Sequence, residues 1–213
     1  ANSYDLPVEK NPAPAPGDGL NTPKAGDGHD TAIAKASRWS YGLSMLCDFL
    51  EYQGFGGDFQ FANFTGYNDG WGEGLVNCAK SRVYPSAAGQ AFQFLRQQGM
   101  AWPLALETGD TSPLLRVQAA WDLKQETLVP FALNLSSRPR VISWEIAPLK
   151  ASFAGSARVE SLSAPSAKLF VTENAPSPIV AATTELPCDG RKVIFKTSPY
   201  SATAIKLPTT MAK

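Results

Sequence analysis

The sequence is poor in the residues that build metal sites and nucleophile–base pairs. It has one histidine, His29, and three cysteines, Cys47, Cys78 and Cys188, none in a Cys-x-x-Cys pair. This argues against a zinc site. His29 stands in a Gly-rich stretch with no Ser or Cys partner pattern near it, which gives no basis for a hydrolase triad. The cysteines leave two arrangements open: one disulfide plus a free thiol, or three buried free thiols. Excess charge is also lacking. Lys+Arg and Asp+Glu balance at 19 each, so nothing points to nucleic acid and no charge block forms a tail. No apolar run approaches the ~20 residues needed to span a bilayer, which excludes a membrane helix. The opening "ANSYDLPVEK" lacks the basic leader and apolar stretch of a signal peptide, as a mature secreted chain also would. No internal repeat is present, and no cofactor is expected.

What is present divides in two. The chain has 213 residues with 44% hydrophobic, enough for one large or two small domains with a core. Residues 1–29 are rich in Pro and Gly and almost without apolar side chains after Val8, the composition of an irregular arm or linker that cannot offset its ordering entropy by burial. Asp30 is placed as a helix N-cap. In the segment that follows, Ala36, Trp39, Leu43, Leu46 and Leu50 recur at three- and four-residue steps, one buried stripe of a helix that Gly54 ends. Asp48 and Glu51 fall on its polar, solvated face. "FQFANF", residues 59–64, suits a buried strand. A loop from Thr65 to Ser81 leads to a second helix over residues 86–99, with Ser86 near its start, Gly99 past its end, and Ala88, Phe92 and Leu95 facing inward. Helix, strand, long loop, helix is an α/β order.

After Trp102 the texture changes. "LLRVQAAWDL", "TLVPFALNLS", "RVISWEIAPL", "ARVESLSA", "AKLFVTEN", "PIVAATTEL", "KVIFKTS" and "SATAIKLP" are short alternating runs separated by Pro, Asn, Gly or Ser. They predict an antiparallel β-sandwich of roughly seven or eight strands. Trp39, Trp121 and Trp144 lie within helical or alternating patterns and are expected in the core, and Tyr41 and Trp102 are expected to be structural too. Glu126, Glu145, Glu160, Glu173 and Glu185 are scattered among the strands as solvated positions are, with no two in an evident cleft.

The long loop carries the chemistry. Asn63, Asn68, Asp69, Trp71 and Glu73 lie at or beyond the carboxyl end of the apolar strand, where parallel α/β folds bind ligands. An indole face stacks on the apolar face of a sugar ring, and amides and carboxylates take its hydroxyls. The same stretch also fits a purely structural role, in which Gly66, Gly70, Gly72 and Gly74 build turns, Asp69 and Glu73 cap backbone N–H groups, and Trp71 packs on the second helix.

The stretch "DTAIAKASRWSYGLSMLCDFLEYQGFGGDFQFANFTGYNDGWGEGLVN" resembles the last turn of the catalytic barrel in α-L-arabinofuranosidases of glycoside hydrolase family 51 and related clan A enzymes, with Ala62 and Asn63 matching an "AN" dipeptide in the final strand. "VYPSAAGQAFQFL" resembles the start of the closing barrel helix. "LRVQAAWDLKQETLVPFALNLSSRP" and "KVIFKTSPYSATAIKLP" resemble the first and last strands of the family's C-terminal sandwich. Where the family commonly has a Gln in the loop, this chain has Gly66. The resemblance implies the terminal portion of a (β/α)8 barrel joined to an antiparallel β-sandwich, that is, α/β followed by all-β. It gives three parts: an arm at 1–29, the last helix–strand–loop–helix of the barrel at 30–105, and the sandwich at 106–213. It implies a retaining glycoside hydrolase whose catalytic Glu pair has no match in this chain, so no catalytic residue is assigned here. The expected partners are an N-terminal catalytic-barrel polypeptide of the same enzyme and an oligo- or polysaccharide, in a secreted or periplasmic setting. The alternative is a non-enzymatic carbohydrate-binding or structural β-sandwich protein.

Overall fold

The computed structural model describes residues 36–55, 74–78, 83–109, 112–122, 124–145, 151–153, 155–172, 174–176, 178–188 and 191–211. Two helices, α1 (Trp39–Gly54) and α2 (Ala87–Gln97), pack together and against strands. A short hairpin, β1 (Val76–Cys78) and β2 (Val83–Pro85), lies between them in sequence. The rest is antiparallel sheet: β3 (Trp102–Leu104), β4 (Leu115–Asp122), β5 (Thr127–Asn134), β6 (Arg140–Glu145), β7 (Ala151–Phe153), β8 (Ser156–Ser163), β9 (Val180–Pro187), β10 (Lys192–Thr197) and β11 (Ser201–Met211). The large sheet runs β3-β4-β5-β11-β8-β9, with β7 pairing the end of β11, and a small sheet pairs β6 with β10.

Three layers follow from alternation along the central strands. On β5 and β11, Val129, Phe131, Leu133, Ala202 and Ala204 point to one face and pack with the helices. Ala132, Ile205 and Leu207 point to the other face and pack with Ile142, Trp144, Val193 and Phe195 of the small sheet. Both faces of β5 are covered, which is why "TLVPFALN" reads as nearly continuous apolar sequence. Pro130 sits in this central strand. Pairing with β11 lapses opposite it, between Ala204↔Phe131 and Leu207↔Leu128, because proline has no N–H to give.

The helical stripe falls where its spacing places it: Ala36, Trp39, Leu43, Leu46 and Leu50 are all buried. Small residues on β11 let the helices approach, and the Phe94 and Phe131 rings meet at 6.0 Å. Asp30, placed as an N-cap, lies outside the described residues, and helix α1 runs from Trp39. Its first N–H groups, of Trp39 and Ser40, donate to the carbonyls of Leu169 (2.9 Å) and Ala167 (2.8 Å), and Val171 N–H donates to Ser37 O at 2.8 Å. This clamp corrects one expectation: "AKLFVTEN" is an irregular segment, not a strand, because its polar backbone serves the helix start instead of a ladder. Only an isolated bridge at Phe170 to Arg38 remains, with the guanidinium 4.8 Å above the Phe170 ring.

The second helix has its expected cap, with Ser86 Oγ accepting from Gly89 N–H at 3.0 Å. Its inward face is shifted. Ala88 is buried, but Ala91 and Phe94 complete the face, while Phe92 and Leu95 are half-buried at its margin. Phe92 instead meets Phe49 of α1, with ring centroids 5.7 Å apart. Strand β3, which the sequence grouped with the helical part, pairs with β4, Trp102 opposite Trp121. Trp102 is 59% exposed and Trp121 half-buried, so of the tryptophans beyond the helices only Trp144 is a core residue. The reason is position: β3 is the edge strand, and the two-stranded small sheet is too narrow to cover that corner. Cys47 and Cys188 are not bonded to each other, and the side chain of Cys78 lies outside the described ones. Among the described residues no helix is long and apolar enough to cross a membrane.

Candidate functional site

The five residues nominated for a sugar subsite, Asn63, Asn68, Asp69, Trp71 and Glu73, lie outside the described residues, as does the strand at 59–64. The frame that receives the end of their loop is described. Ser86 Oγ donates to Gly74 O at 2.8 Å, and Ser86 N–H donates to Leu75 O at 2.9 Å. Gly89 is held against the same turn so closely that an added Cβ would run into the Leu75 carbonyl oxygen. Asn77 Nδ2 donates to Ser37 Oγ at 3.0 Å, tying the hairpin to the start of α1. The loop therefore leaves Gly74 anchored to the first turn of α2 and, through β1, to α1.

The helical layer is joined to the sandwich by charge as well as packing. Glu160, expected to be solvated, has a side chain only 13% exposed and contacts Arg158 Nε at 2.8 Å and Lys206 Nζ at 3.7 Å. Gln98 Nε2, at the end of α2, donates to it at 3.1 Å. Lys206 also donates to Gln97 O at 3.3 Å, a cation at a helix C-terminus. The sequence missed this cluster because its members are about sixty and a hundred residues apart and alternate like any surface strand. Glu126, Glu145 and Glu185 are exposed as expected, and Glu173 lies outside the described residues.

On α1, burial pushes the Cys47 thiol up to about 12, with Arg116 partly opposing and Asp48 and Glu51 adding. Asp48 is not simply solvated: partial burial, and then Glu51 one turn on, raise its carboxyl above the usual value. Among the described residues no group of three or more His, Cys, Asp or Glu could hold a metal ion.

No family model matches the sequence, and no curated protein matches it either. The fold, however, matches solved glycoside hydrolases. The chain is similar to the arabinose-bound α-L-arabinofuranosidase MgGH51 over 83% of its own length and 28% of that protein's, with a TM-score of 0.71 at 15% identity. It is similar to the family 51 α-L-arabinofuranosidase of Thermotoga petrophila over 83% of this chain and 40% of that one (TM-score 0.69, 13% identity). The catalytic domain of the family 30 xylanase C of Talaromyces cellulolyticus is matched over 82% of this chain and 38% of that one (TM-score 0.54, 15% identity). The chain thus has a glycoside hydrolase-like fold and spans well under half of the structures it matches.

Proposed function

We propose that this chain is the C-terminal fragment or subunit of a retaining glycoside hydrolase acting on plant or microbial polysaccharide, arabinofuranosidase- or glucanase-like. The observation that carries the reading is the pairing of extents. The fold agrees with family 51 enzymes over 83% of this chain while spanning 28 to 40% of theirs. In this reading residues 30–105 contribute the last elements of a (β/α)8 barrel, which takes ~200 residues or more, and residues 106–213 the accessory sandwich. The helices rest on the sandwich through one shared core, which supports a rigid joint between the two. The catalytic Glu pair belongs to the N-terminal catalytic-barrel polypeptide of the same enzyme, its carboxyls ~5 Å apart to act as nucleophile and acid/base. The setting is secreted or periplasmic, with no nucleic acid or membrane partner.

Asn63, Asn68, Asp69, Trp71 and Glu73 then form one wall of the sugar subsite, with Trp71 stacking on the ring and the others binding hydroxyls. Oligosaccharide titration of the assembled enzyme carrying Trp71→Ala tests this beside a melting curve. Loss of one stacking contact weakens binding by about ten-fold, or ~1.4 kcal/mol, with a modest change in Tm. A large drop in Tm with unchanged affinity would make Trp71 a packing residue and remove the subsite. A sandwich that binds sugar with no barrel partner would instead favour the non-enzymatic alternative.

A further inference from the structure

The two edges of the large sheet differ in how they are guarded. At one edge stands β3, three residues long with Pro103 at its middle. A short strand with a central proline offers another chain little to pair with. At the other edge stands β9, eight residues long. Its ladder with β8 runs one to one from Ser163↔Val180 to Ser156↔Pro187, so no bulge turns the edge away. It carries no Lys, and its proline is its last residue. Residues 180–185 are all exposed, on both faces of the sheet. The small sheet is better protected, since β10 carries Lys192 and Lys196 and β6 has Arg140 and Glu145 at its ends. Among the described residues β9 is thus a long edge with none of the usual devices against pairing. Along such an edge every second residue presents its N–H and C=O outward.

We propose that β9 is a dimerisation edge, pairing antiparallel with β9 of a second copy of this chain across a two-fold axis at Thr183. The sequence of the strand selects this occupant. Two copies of one strand keep their faces matched only in registers that set some residue opposite itself. Centring on Thr183 pairs residues 180–186 and leaves Pro187, which has no N–H to give, beyond the seam. Val180 then faces Leu186 and Thr183 faces its own copy, apolar on apolar and hydroxyl on hydroxyl. Glu185, the single charge on the strand, faces Ala181, so no like charges meet. Its carboxylate is already held on its own chain, where Ser156 Oγ donates to it at 2.6 Å. Centring on Ala182 would set Glu185 opposite Ile179, a residue before the strand, and centring on Thr184 would bring Pro187 into the ladder. A seam of seven residues at about 3.4 Å each runs about 24 Å and joins two large sheets into one. The pairing uses the sandwich alone and does not rest on the glycoside hydrolase reading.

Sedimentation velocity of the full chain, in whatever assembly it is purified, tests this over about 1 to 300 µM, with hydrogen exchange across residues 180–187 at both ends of that range. A reversible equilibrium between one and two copies of that unit is expected, with Kd on the order of 10 µM, and slower exchange in β9 at the higher concentration. Thr183→Lys sets two ammonium groups opposite each other at the axis. It should weaken the dimer by about five-fold and leave the melting curve of the dilute unit unchanged, since the position is exposed. Cysteine reads the register. Opposed Cα atoms of an antiparallel pair lie about 4.5–5.5 Å apart, within reach of a disulfide. Under mild oxidation Thr183→Cys should give a covalent dimer, while Ala182→Cys, facing Thr184, should give no more than the unsubstituted chain. A unit that stays single over the whole range, a dimer untouched by Thr183→Lys, or equal crosslinking from residues 182 and 183 would overturn the proposal. So would β9 amides equally protected in the single unit, which would assign the edge to another part of the enzyme.

Discussion

Trp39 and Trp144 are both buried tryptophans, one on each side of the large sheet, and their indole nitrogens meet opposite ends. Trp39 Nε1 donates to Tyr200 O at 2.6 Å, and the turn that presents that carbonyl is itself held by Tyr200 N–H on Ser136 O at 3.1 Å, with Tyr200 at a positive φ of 44°. Trp144 Nε1 has no partner among the described residues. The helix-covered face closes around its polar groups and fixes an uncommon backbone conformation. The face under the small sheet closes over Ile142, Val193 and Phe195 but leaves a cleft beside β6. The lesson is that a two-stranded cover over a seven-stranded sheet completes a core without completing its edges.

The largest effect should come on the helical side. Trp39→Ala removes a fully buried ring and orphans the Tyr200 carbonyl, and chemical denaturation should register a loss of about 3–5 kcal/mol. Gly89→Ala should cost about 3 kcal/mol, because the Leu75 carbonyl has to move for the new methyl. It should also disturb the loop anchored at Gly74, which amide exchange at Leu75 and Ser86 would report. The two tryptophans compared directly give a smaller difference. Trp39→Phe should be worse than Trp144→Phe by about 1–2 kcal/mol, since the first leaves a carbonyl unpaired and the second removes a donor that was already alone. Equal costs would erase the contrast between the faces.

The smallest effect concerns Asp48. Its folded-state pKa is raised, so the native state favours the protonated carboxyl and the stability it contributes is lost as pH rises through that value. Asp48→Asn should therefore raise Tm slightly at pH 7, and the gain should vanish once pH falls below the ordinary carboxylate value of 3.8. Calorimetry at two pH values decides it. A gain that grew in acid would reverse the assigned sign.

Much of this architecture was legible because burial writes periodicity. The stripe from Trp39 to Leu50 and seven of the eight alternating runs became the elements they resembled, and Ser86 capped its helix. The misreadings share a cause. "AKLFVTEN" alternates like a strand, yet its carbonyls serve the N-terminus of α1 more than a hundred residues earlier. Trp121, expected in the core, is half-buried because it lies opposite Trp102 on the edge strand β3, and edge position is a property of sheet order that local pattern does not encode. Glu160 reads as solvated because Gln98 and Lys206 reach it only after folding. The nominated subsite, with Trp71 at its centre, was read from residue chemistry and strand position alone, and its side chains lie outside the described residues.

The central claim is that residues 30–99 complete a barrel whose other strands are carried elsewhere. Native mass spectrometry of material from the source organism, joined to hydrogen exchange across residues 59–64, tests it most directly. The account predicts a species well above 22.8 kDa, in which this sequence accompanies or continues a barrel-sized polypeptide bearing the catalytic Glu pair. It also predicts that the 59–64 amides are protected only in that assembly. A monodisperse 22.8 kDa monomer with the same amides already protected would contradict it.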